Sequence, residues 1–149
     1  MEYRTLGRTG VRVSQLCFGT MSFGAEADKA ASKAMYKKVR DTGINFFDCA
    51  DAYTKGKAET ILGELMKGER DNLVITSKCF NNIRGDINSG GGNRRHVALA
   101  VEDSLKRLKT DRLDVLFMHR FEKLAPLEEV LRGLEDLVRA GKVLYIGAS

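Results

Sequence analysis

The chain has 149 residues, 43% hydrophobic, 30% charged and 7% aromatic, with a net charge of +5 from 25 Lys and Arg against 20 Asp and Glu. That composition suits one folded domain over residues 1–149 and excludes a disordered, collagen-like or low-complexity chain. No run of about 18 apolar residues occurs, so no transmembrane helix is expected, and a start carrying Glu2, Arg4, Arg8 and Arg12 does not read as a signal peptide.

The basic excess is scattered over Lys37, Lys38 and Arg40, over Arg94 and Arg95, and over Lys106, Arg107 and Lys109. No basic stripe interleaves with aromatics, so the expected partners include neither nucleic acid nor a membrane. Cys17, Cys49 and Cys79 are widely spaced and form no CxxC pair. Neither a zinc site nor a disulfide framework is expected, and the cytoplasm is the default compartment.

Tyr3–Leu6 and Val11–Val13 alternate apolar and polar residues on either side of a turn bounded by Gly7 and Gly10, which predicts a hairpin. Beyond it a strand, a polar loop and an amphipathic helix recur. Gln15–Thr20 is the first strand. Asp28–Thr42 is a helix with Asp28 as N-cap and Gly43 as its stop. Asn45–Cys49 is the second strand, and Ala58–Lys67 a helix ended by Gly68. Leu73–Ser77 is the third strand. A glycine-rich stretch, Cys79–Asn93, is long enough to form either a lid or a plain connector. Arg94–Lys109 sets Val97, Ala98, Val101, Leu105 and Leu108 at helical spacing and ends on basic residues, as a helix dipole favours. Leu113–Met118 is the fourth strand. Pro126 fits the first turn of the next helix, which stops at Gly141, and Val143–Gly147 is the fifth strand.

Strand starts near 15, 45, 73, 113 and 143 recur at steps of 30, 28, 40 and 30 residues. One βα unit takes about 30. Several strands are nearly continuous apolar runs, as parallel strands covered on both faces require. The fold class is therefore α/β with a parallel sheet, either open or closed. A closed (β/α)8 barrel takes about 250 residues. The chain would then hold an N-terminal β-hairpin, about five parallel strands and four helices of it.

Ligands of such folds gather at the carboxyl ends of the strands. Gly19, Thr20 and Met21 follow the first strand there, Asp48 stands at the end of the second with Tyr53 five residues on, Lys78 follows the third, His119 the fourth, and Ser149 the fifth. His96, beside Arg94 and Arg95, is expected on the surface. An acid, a phenol, an amine and an imidazole on one rim suit carbonyl reduction. A phenol with an ordinary pKa of about 10 gives up its proton more readily beside an ammonium. A carboxylate keeps that ammonium charged, and an imidazole orients or protonates a carbonyl oxygen. No side chain supplies hydride, so a cofactor is required. GxGxxG, GxxxxGK[ST], HExxH and GxSxG are all absent.

The stretches YRTLGRTGVRVSQLCFGTMSFG, GINFFDCADAYTKGKAETILG, LVITSKCF, RLDVLFMHR and GKVLYIGAS resemble the aldo-keto reductase family, in order and over essentially the whole chain. The resemblance implies a partial (β/α)8 TIM barrel and an NADPH-dependent oxidoreductase acting on a small-molecule carbonyl substrate. It implies a catalytic tetrad of Asp48, Tyr53, Lys78 and His119. It implies NADP(H) as cofactor, held by Gly19, Thr20, Met21, Asp48 and Ser149. The hairpin and the GKAE element resemble a branch with bacterial oxidoreductases and potassium-channel β subunits, and His119 favours the reductases within it. In this resemblance the chain is the N-terminal portion of the barrel. A non-catalytic fragment and a β-subunit-like binding module are the alternative readings. Unpaired strands at both ends of the sheet make self-association an expectation.

Overall fold

The computed structural model describes residues 1–149. Strands β1 (Tyr3–Thr5) and β2 (Arg12–Ser14) form an antiparallel hairpin. Strands β3 (Phe18–Gly19), β4 (Phe46–Asp48), β5 (Val74–Cys79), β6 (Leu113–Met118) and β7 (Val143–Ala148) follow in one parallel sheet, side by side in chain order. Helices α1 (Lys29–Asp41), α2 (Lys57–Leu65), α3 (Arg94–Leu108) and α4 (Leu127–Arg139) connect β3 to β4, β4 to β5, β5 to β6 and β6 to β7. This is the expected hairpin, five parallel strands and four helices.

The apolar stripes of the helices meet the sheet in one core, in which Phe23, Phe47, Leu62, Ile75, Leu108, Leu113 and Leu116 are fully buried. Each such side chain contributes about 1.5–3 kcal/mol of transfer free energy. Asp28 caps α1, its carboxylate accepting from the Ala31 N–H at 2.8 Å. Asn93 does the same for α3 through the His96 N–H at 2.9 Å.

Several boundaries and one burial differ from expectation. The first strand is only Phe18–Gly19, because the groups just before it bond elsewhere. The Gln15 N–H donates to the Glu2 carbonyl, and the Ser14 hydroxyl to the Leu16 carbonyl. Strand β5 runs on to Cys79, so Lys78 lies inside it rather than after it. Pro126 is the N-cap of α4, one residue ahead of its first turn, and Lys109 is the left-handed C-cap of α3. His96 is buried, at 4% exposure, not on the surface. It shares an i, i+4 row with Ala100 and Ser104, both buried, while Arg94 and Arg95 occupy the outer side.

Helices α2 and α3 cross at Gly63, where a Cβ would lie 2.6 Å from the backbone of Arg107 and Leu108. Backbone cannot swing aside as a side chain can. Gly63→Ala is therefore expected to destabilise the chain by about 1–3 kcal/mol in urea unfolding. An unchanged midpoint would contradict the close approach. At the sheet edges, β3 and β7 have one neighbour each, and Leu144 and Ile146 of β7 are about two-fifths exposed. The 149-residue chain made alone is expected to self-associate through such edges, and a monomer in analytical ultracentrifugation would count against this.

Candidate active site

The register of the sheet assembles the site. Asp48 on β4 pairs with Thr76 on β5, and Lys78 follows two residues later on the same face. The Lys78 Nζ donates to three oxygens: Asp48 Oδ2 at 2.5 Å, the Cys49 carbonyl at 2.9 Å and Tyr53 Oη at 3.0 Å. All three N–H donors of the ammonium are thereby used. Its side chain is 12% exposed, so the charge depends on these partners. Asp48 is fixed in turn by the Thr76 hydroxyl, 2.7 Å from its Oδ1. Burial pulls the Lys78 ammonium toward neutrality, but the hydrogen bonds from Nζ to Asp48 and Tyr53 outweigh it and hold its pKa above the ordinary lysine value. The lysine stays charged at any physiological pH.

Lys78 also lies 4.8 Å from the centroid of the Tyr53 ring. On its other side Tyr53 meets His119 edge-on, with centroids 6.1 Å apart. His119 follows β6, and its backbone N–H donates to the Cys79 carbonyl at 3.1 Å. Its Nδ1 is buried and has no hydrogen-bond partner. Burial, then the charges of Lys78 and Arg120, hold the imidazole below its ordinary pKa against the pull of Asp48. His119 is therefore neutral at pH 7.

Tyr53 opens a single 3-10 turn, and the three residues after it, Thr54, Lys55 and Gly56, are all left-handed, with φ of 50°, 52° and 86°. Strained conformations of the two non-glycine residues cost on the order of 1–3 kcal/mol each and persist only where the surroundings fix them. The Thr54 hydroxyl donates to the Phe23 carbonyl at 3.0 Å. Gly56 lies against Arg107, whose Cδ a Cβ would meet at 2.7 Å. Arg107 in turn donates through Nε to the fully buried Glu59 at 2.7 Å, and Glu59 accepts from Ser77 at 2.6 Å.

The four expected tetrad residues, Asp48, Tyr53, Lys78 and His119, thus stand together. The other rim residues lie around them. Gly19 has open space where a side chain would be, and Met21 is 67% exposed. Thr20 is buried, and its hydroxyl donates to the Asp48 carbonyl at 2.9 Å, which ties β3 to the tetrad. Ser149 is exposed, its N–H bonded to Met118, the residue before His119. Thr76 was not anticipated, although its two-residue spacing from Lys78 signals a shared face. The Asp51 and Glu59 carboxyls beneath the turn carry no such signal. The stretch between β5 and α3 is tied down along its length, with Arg84 paired to Asp103 of α3. Gly91 donates to the Phe80 carbonyl, and the Glu122 carboxylate accepts from Gly92 as well as from Lys123 and Leu124.

Residues 15–149 match the family model described as Aldo/keto reductase family. The chain belongs to that family. It is 40% identical to an uncharacterized oxidoreductase, YrpG, of Bacillus subtilis, across all of this chain and 49% of that one. It is 39% identical to a probable voltage-gated potassium channel subunit beta of Oryza sativa, across all of this chain and 46% of the other. The holo form of aldo-keto reductase AKR11C1 from Bacillus halodurans superposes with a TM-score of 0.91 at 33% identity, over the whole chain and 50% of that structure. A thermostable aldo-keto reductase, Tm1743, solved with the inhibitor epalrestat, gives 0.88 at 30% identity, over 99% of this chain and 53% of its own. The chain spans about half the length of the relatives it matches. A half-length match over a parallel sheet of five strands is what a partial (β/α)8 barrel gives.

The electrostatics of the site are testable without turnover. In histidine-selective NMR, His119 is expected to titrate below 6.5. Lys78→Met removes one of the two repelling charges, so the midpoint should rise. A midpoint that does not move would separate Lys78 from His119.

Proposed function

We propose that the chain carries the proton-transfer site of an NADP(H)-dependent oxidoreductase that reduces aldehyde or ketone carbonyls to alcohols. The observation that supports this most strongly is the Asp48–Lys78–Tyr53 hydrogen-bonded line beside a neutral His119. The rim also fits a nicotinamide group. Open space beside Gly19 and exposed Met21 and Ser149 lie at the same end of the sheet. Gly19, Thr20, Met21, Asp48 and Ser149 would hold it. Such a group, when bound, supplies the hydride that no side chain can.

The protein's own contribution is the proton. Tyr53 Oη accepts from Lys78 Nζ, which leaves the phenol O–H to donate to a substrate carbonyl oxygen. As that proton leaves, the adjacent ammonium stabilises the phenolate formed. Asp48 keeps the ammonium charged and aimed, with Thr76 fixing Asp48. His119, neutral, hydrogen-bonds the carbonyl oxygen and orients it, and does not compete as an acid.

Likeness to a protein described as a potassium channel β subunit favours a second reading, a binding module built on the same core. The two are separated by kinetics. Tyr53→Phe should lower NADPH-dependent carbonyl reduction by at least about 100-fold, the share of one general acid, while NADPH affinity by fluorescence titration stays within about twofold. Unchanged turnover in that variant excludes Tyr53 as the proton donor. Absence of turnover in the unaltered protein, with a potassium channel co-purifying, would favour the binding module.

A further inference from the structure

Asp51 lies midway between Asp48 and Tyr53 and takes no part in the proton path. Its backbone N–H donates to the Lys78 carbonyl at 3.1 Å, so it is anchored to the strand that carries the lysine. Its side chain turns away from the rim, is 2% exposed, and leaves Oδ1 with no hydrogen-bond partner. His96, also buried, leaves Nε2 without one. Both residues line one cavity of about 40 Å³, together with Arg84, Asp103 and Arg107. An orphaned buried polar atom is costly, and two of them beside one polar space call for a common partner.

That space fits water. About 10–15 Å³ holds one molecule, which needs two to four polar contacts, and the walls offer more than that. Two cationic groups in the lining, Arg84 and Arg107, disfavour a metal ion. Arg84 is held by Asp103 at 2.6 Å and Arg107 by Glu59 at 2.7 Å, so neither needs Asp51 to balance its charge. Burial and the nearby Glu59 carboxylate raise the Asp51 carboxyl to about 7 against the pull of Arg107. Burial, then Arg84, keeps His96 below its ordinary value against Asp86. At neutral pH the two groups can therefore either donate to or accept from a water.

We propose that this cavity is a hydration site in which a water joins Asp51 Oδ1 to His96 Nε2, and that Asp51 and His96 are thereby positioning residues for Tyr53. The strained turn gives the tether its purpose. Thr54 and Lys55 hold left-handed conformations that a free turn would relax, and relaxation would carry Tyr53 away from Lys78. Helix α3 is the rigid body to which the turn is fixed, at Gly56 by direct contact with Arg107 and at Asp51 through the water. The inference rests on the assignment of Tyr53 as the functional phenol, yet its test needs no turnover, so the failure of either one is distinguishable from the failure of the other.

A high-resolution crystal structure of the protein should show a water within hydrogen-bond distance of both Asp51 Oδ1 and His96 Nε2. A dry cavity, or a direct Asp51–His96 hydrogen bond that closes it, overturns the proposal. NMR of protein labelled at the tyrosine ζ carbon tests the positioning role. In Asp51→Leu and His96→Leu, the Tyr53 resonance should shift while those of Tyr3 and Tyr145 stay, and exchange of the Lys55 amide should accelerate about tenfold. Asp51→Asn and His96→Gln keep a hydrogen-bonding atom at each wall and should restore the native Tyr53 resonance. A Tyr53 resonance unmoved by both leucine variants, or displaced equally by the Asn and Gln variants, overturns the positioning role. The crystallographic water and the Asn and Gln spectra decide the matter where a leucine variant does not fold.

Discussion

A part-buried ammonium on a central strand is the constraint around which the site is arranged. Lys78 stands on β5, flanked by β4 and β6, and an unpaired charge there would cost several kcal/mol. Every nearby feature answers that cost. Asp48 supplies the countercharge from the neighbouring strand, Cys49 a carbonyl, and Tyr53 the third acceptor. The acceptor that completes the set is the Tyr53 phenol. The three hydrogen bonds that hold the charge thus also fix the phenol beside it.

The sheet supplies the order that makes this possible. Parallel strands in sequence put residues 30 apart, Asp48 and Lys78, on adjacent strand ends. Tyr53 cannot reach Lys78 from a strand, because it lies beyond the end of β4. It is brought back by a turn with two strained residues, and the surroundings hold that turn: Thr54 on Phe23, Gly56 on Arg107, and Arg107 on the buried Glu59. The polar layer beneath the turn accordingly keeps a phenol within 3.0 Å of an ammonium.

Much of this was legible in the residues. Apolar runs at a spacing near 30 located the strands, and strand ends located Asp48, Lys78 and His119. The hairpin and the Asp28 cap followed from local rules that tertiary packing did not override. The burial of His96 was legible too, in its i, i+4 relation to Ala100, but two neighbouring arginines masked it. Other features depend on contacts distant in sequence. The short β3 results from hydrogen bonds that Ser14 and Gln15 make outside the sheet. The left-handed run at Thr54 and Lys55 violates the preference of both residues, and contacts distant in sequence, with Phe23 and with Arg107 of α3, hold it. The cavity shared by Asp51 and His96 joins positions 45 apart on different elements, which no periodicity reveals.

The central claim is that Lys78 is held charged by its partners against its burial. Nitrogen-15 NMR of the Lys78 Nζ across alkaline pH tests it directly. The midpoint is expected above the ordinary lysine value of 10.5, with a fall in Asp48→Asn, where the countercharge is gone and burial remains. A midpoint below 10.5 in the unaltered protein would mean that burial wins over the three hydrogen bonds.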